Sequence, residues 1–91
     1  MKKVELVKIV QAARTYYEDS RRWFGYSEDA EDRGDMEFAQ AAANISLEYE
    51  NKMRGLLYAI EITTGYELGL WCFGEWTNEA IAEIIIEYQK A

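Results

Sequence analysis

Residues 35–63 read DMEFAQAAANISLEYENKMRGLLYAIEIT, and they decide the fold. At about 100° per residue, Phe38, Ala42, Ile45, Tyr49, Met53, Leu56 and Ile60 fall on one stripe, as in an amphipathic α-helix. Asp35 stands where an N-cap belongs, the alanine-rich run 39–43 has high helix propensity, and Thr63-Thr64-Gly65 ends the pattern. Gly55 weakens the middle by about 1 kcal/mol relative to alanine. A second apolar set, Leu47, Tyr58 and Ile62, lies on the far side. A helix apolar on two faces is central in its bundle or carries a partner on its second face.

Two further helices flank this one. Leu6, Ile9, Val10, Ala13, Tyr16, Tyr17, Ser20 and Phe24 share a face, which predicts a helix over about 3–24, ended by Gly25. Thr77 or Asn78 caps a last helix through about residue 90, with Ala80, Ile81, Ile84, Ile85 and Tyr88 as its buried stripe. Residues 25–34 are expected to form a loop, in which Ser27 caps at most a short helical turn carrying Glu28 and Asp29. Residues 65–76 alternate Tyr66, Leu68, Leu70 and Cys72 with Glu67, Gly69, Trp71 and Phe73, which fits an extended segment or irregular aromatic loop closing one end of the molecule, with a helix as the alternative. The expected fold is a single all-α domain over 1–91. It has three helices with a long central one, and the irregular aromatic segment comes before the last helix.

The composition agrees with a packed chain: 91 residues are 49% hydrophobic and 14% aromatic, with no proline to break a helix. The one cysteine, Cys72, excludes an internal disulfide and reads as a buried thiol in a reducing compartment. Glu5 and Lys8 interrupt any signal-peptide core, and no apolar run is long enough for a membrane span. The expected location is cytoplasmic.

Charge is unevenly divided. Residues 1–27 hold six Lys/Arg against three acids, and residues 28–91 hold four against fourteen. Six acids fall within ten residues: Glu28, Asp29, Glu31, Asp32, Asp35 and Glu37. An acidic surface repels nucleic acid and anionic membrane and attracts basic proteins. Trp23, Phe24 and Tyr26 precede the acidic run and Phe38 follows its last turn, so apolar anchors stand beside the charge. Lys3, Arg14 and Arg21 form a basic flank on the first helix, and Glu75, Glu79, Glu83 and Glu87 a carboxylate ridge on the last.

The motifs of chemistry are missing. The chain has no histidine, no Walker pattern and no Gly-x-Gly-x-x-Gly loop. The stretch from Asp29 resembles a calcium loop only in placing Gly34 at the sixth position, since Arg33 and Gln40 occupy ligand positions. No cofactor, metal site or enzymatic activity is expected. In size and charge the chain resembles the small acidic proteins that phages and mobile elements encode against host nucleases, anti-CRISPR proteins among them. The expected function is a non-enzymatic inhibitor whose acidic surface (Glu28, Asp29, Glu31, Asp32, Asp35 and Glu37, with Trp23 and Tyr26) occupies a basic, nucleic-acid-binding site on another protein. Two alternatives stand beside it. One is a helical module that pairs with a second copy through Leu47, Tyr58 and Ile62; the other binds a small ligand among the 66–76 aromatics.

Overall fold

The structure, a computed structural model, describes residues 1–91. Its elements are α1 (Lys3–Asp32), α2 (Met36–Thr64), a single turn α3 (Cys72–Glu75) and α4 (Asn78–Lys90), with no strand. The all-α class and the bounds of the second and last helices are those expected from the sequence. The central helix is not the longest, because α1 continues to Asp32 instead of ending at Gly25.

Packing explains the extension of α1. Beyond Gly25, Ser27 and Ala30 are buried against α2, and Ser27 Oγ donates to the Ala39 carbonyl at 2.8 Å. These contacts outweigh the roughly 1 kcal/mol that a mid-helix glycine costs. The acidic residues 28–32 are therefore helical, and they occupy the last turn of α1, not the first turn of a new helix.

Arg33, Gly34 and Asp35 make the turn between the two long helices. Gly34 takes φ +78°, its N–H bonds to the Glu31 carbonyl and that of Asp35 to the Ala30 carbonyl, the paired bonds of a Schellman cap. Asp35 also accepts from the Phe38 N–H through its side chain, so one residue helps end α1 and start α2. A Cβ on Gly34 would meet nothing within 4 Å, so the cost of replacing it is purely conformational. Gly34→Ala is expected to lower stability by about 1 kcal/mol, and Gly34→Asn, which tolerates this region, by less. Urea midpoints of the two variants check this.

α1 and α2 lie antiparallel over their whole length, with Tyr16 stacked on Tyr49 and Ser46 Oγ donating to the Ser20 carbonyl at 2.8 Å. Gly65, at φ +80°, ends α2. The chain then runs back up the hairpin, irregular over 66–69 and turning at 70–71 into α3. Tyr66 packs on Tyr88 near the bottom, whereas Phe73 reaches Tyr17 near the middle. The aromatic segment thus runs alongside the helices and does not close an end. Thr77 caps α4 by accepting from the Ala80 N–H, and α4 descends antiparallel to α1, from Arg14 to Lys3.

The core is confined to this lower half. Leu6 and Val10 of α1, Met53 and Ile60 of α2, and Ile81 and Ile85 of α4 are all essentially inaccessible to solvent, with Cys72 and Phe73 beside them. Burial pushes the Cys72 thiol above its ordinary pKa. Three apolar side chains placed in their stripes by periodicity are instead exposed: Phe24, Phe38 and Tyr88. Phe24 and Phe38 lie where only two helices exist to cover them, and Tyr88 lies in the last turn of α4, outside the core. The upper half of the hairpin is joined by small residues, Ser27, Ala30, Ala39, Ala42 and Ser46. The result is elongated, 53 × 22 × 18 Å with a radius of gyration of 15.6 Å. A compact chain of this length would have about 12 Å. The molecule is a three-helix base with a two-helix arm.

Candidate functional site: the acidic arm

The arm carries the charge. Between residues 17 and 50 there are ten acids against Arg21, Arg22 and Arg33, a balance of −7. The remaining residues hold seven acids and seven basic side chains. The base is electrically neutral, and the whole net charge of the protein lies in the projecting hairpin.

Two basic residues of the base, Lys3 and Arg14, are used internally. Arg14 Nε donates to Asn78 Oδ1 at 2.8 Å, Nη1 to the Phe73 carbonyl at 2.9 Å, and Nη2 to the Trp76 carbonyl. The guanidinium also lies over the Phe73 ring. Lys3 Nζ lies 2.7 Å from Glu83 and holds its carboxyl below the usual range. Because that pKa is lowered by folding, the pair supports the fold at neutral pH and stops doing so as pH falls through the lowered value. The basic flank of the first helix is thus, for Lys3 and Arg14, a set of ties within the protein.

All six acids of the 28–37 run are exposed, but they ring the tip and do not form one face. Asp29 lies beside Trp23, Tyr26, Arg33 and Phe38 around a shallow hollow of about 300 Å³. The Trp23 and Tyr26 rings meet edge-on at 5.3 Å. Asp35 and Glu37 flank Phe38 on the next hollow. Glu28 lies on another side, with Phe24, in a larger groove between the helices. Trp23, Tyr26 and Phe38, separated in sequence, are therefore gathered with Asp29 by the hairpin turn, and Phe24 is separated from them. The groove on the other side was not legible in the sequence, because it exists only where α4 stops short.

Leu47, Tyr58 and Ile62 are 53%, 63% and 66% exposed on the outer face of α2, and α4 does not cover them. The 66–76 aromatics are largely engaged in packing: Tyr66 on Tyr88, Phe73 on Tyr17, and Trp76 on Trp71. No three or more acidic or cysteine side chains converge to hold a metal ion, and residues 29–32 are helical where a calcium loop would be irregular. No helix is long and apolar enough to cross a membrane. No known protein family, curated protein or solved structure matches the chain.

Proposed function

We propose that the protein is a non-enzymatic inhibitor whose acidic arm occupies a basic, nucleic-acid-binding surface of another protein, in the manner of phage or mobile-element anti-defence proteins. The observation that carries this reading is the location of the entire −7 charge in a two-helix arm on a neutral base. Carboxylates around the tip of a narrow rod present negative charge to a groove shaped for a phosphate backbone. Trp23, Tyr26 and Phe38 supply apolar contact between those charges. The compositional resemblance to anti-CRISPR inhibitors supports the same reading.

Capture from a lysate of the native host tests it, run beside the variant Glu28→Gln/Asp29→Asn/Glu31→Gln/Asp32→Asn. Proteins held by the parent at low salt should be basic, should be displaced by added nucleic acid, and should be lost from the variant. If parent and variant hold the same proteins, the acidic arm is not the docking surface.

Pairing with a second copy through the outer face of α2 is the second reading, favoured by the exposure of Leu47, Tyr58 and Ile62. Because these side chains are not in the core, Leu47→Ser/Tyr58→Ser is expected to change stability by no more than about 0.5 kcal/mol per site. Sedimentation of parent and variant then reads association without interference from unfolding. A dimer that persists in high salt and is lost in the variant marks an apolar interface.

A further inference from the structure

The face of α1 that supports α4 does not end where α4 ends. In the base, Leu6, Val10 and Ala13 lie in the core with α4, and Arg14 and Tyr17 hold the turn before it. The same face continues at helical spacing as Ser20, Phe24 and Glu28, with no helix over it. Ser46, Glu50 and Met53 form the opposing wall on α2, and Leu70 closes the lower end. The space between is about 600 Å³. It lies on the line of α4, in the position a longer third helix would fill.

Two observations bear on the groove: charge identifies the occupant, and an open wall admits it. The first is charge: the arm holds ten acids against three arginines, and of the groove's own acids Glu50 is paired with Arg54 at 3.0 Å while Glu28 has no ion-pair partner. A second copy would bring another −7 to the same place, whereas a basic chain would meet complementary charge. The second is Gly25, which lines the groove in mid-helix. A Cβ there would meet nothing within 4 Å, so no contact within the protein needs glycine at this position. The chain gives up about 1 kcal/mol of helix propensity and leaves the groove wall open. Beside it Phe24, 56% exposed, offers an apolar anchor.

We infer that this groove receives an amphipathic helix from the basic partner, apolar toward Phe24 and Leu70 and rich in lysine or arginine toward Glu28. The inference rests on the reading of the arm as a docking surface and adds the shape of what docks. From Tyr17 to Glu28 the wall runs about 17 Å, so the bound helix spans three turns or slightly more.

The test uses two synthetic peptides of about 18 residues with identical lysine and leucine content. In one, leucines recur every third or fourth position; in its isomer they are spread around the helix. The parent is expected to bind the amphipathic peptide at least about tenfold more tightly than the isomer. Amide resonances of Tyr17, Phe24 and Leu70 should shift. Gly25→Leu, whose side chain enters open space and restores helix propensity, should melt no lower than the parent and lose that preference. Should Gly25→Leu melt early, Phe24→Ser, which alters an exposed side chain, gives the same readout. Equal binding of both peptides, unchanged in these variants, overturns the groove and leaves the acidic-arm reading standing. Failure of both peptides to bind at low salt overturns both. A parent dimer that Gly25→Leu makes monomeric assigns the groove to a second copy and also overturns the inference.

Discussion

Arg14→Met is expected to lower the unfolding free energy by about 3 kcal/mol, a large share of what a chain of this length has. One guanidinium ties the Phe73 carbonyl, the Trp76 carbonyl and the Asn78 side chain to the middle of α1. Methionine keeps the apolar stem over Phe73 but leaves these acceptors without their donor. Hydrogen bonds from a charged group contribute about 1.5–3 kcal/mol each, and three on one group do not add in full. Arg14→Lys should recover little, because an ammonium is a point donor without the planar fork that reaches all three. Urea unfolding reads the result as a shift of midpoint at unchanged slope. A loss below about 1 kcal/mol would mean that packing of Phe73, not Arg14, holds the turn that starts α4.

Neutralising the tip is expected to act in the opposite direction. The variant Glu28→Gln/Asp29→Asn/Glu31→Gln/Asp32→Asn should be more stable than the parent by about 1–2 kcal/mol. These four side chains occupy the last turn of α1, where the helix dipole is negative, and no basic residue lies in that turn. Each carboxylate at such an end is unfavourable by about 0.3–1 kcal/mol when exposed. Glu28 and Asp32, four apart, add mutual repulsion. From the sequence alone, with these residues in a loop, the same change is nearly neutral; their helical placement gives it a sign. The melting temperature should rise by about 5–10 °C at low ionic strength and by less in concentrated salt. An unchanged melting curve would show that the tip acids carry no strain. The same variant is expected to lose the basic partner, so stability and binding move apart at one set of residues.

The helices were legible because their apolar residues are periodic over several turns and their caps are local. Asp35, Gly65 and Thr77 each do what their neighbours in sequence suggest. Gly25 misled because a glycine in mid-helix and a glycine after a helix look alike until Ser27 and Ala30 are seen packed on α2. The acids and aromatics of the tip were all visible as residue types. Their partition was not: the separation of Phe24 from Trp23, Tyr26 and Phe38 depends on which side of α1 faces α2, and a helix with one neighbour over half its length has no second constraint to fix that in advance. Arg14 was visible only as a member of a basic flank. Two of its three acceptors are backbone carbonyls about sixty residues away, and backbone groups leave no mark on sequence.

The separation of a charged arm from a neutral base also gives the molecule a large electric dipole along its longest axis, 53 Å from end to end. At physiological ionic strength fields decay over about 8 Å, so the base lies many screening lengths from the tip. Near a cationic surface the protein would therefore feel a torque that turns its arm toward that surface before contact. Encounters would be oriented tip-first, and this orientation would fade as salt is added even where the contacts finally made are apolar.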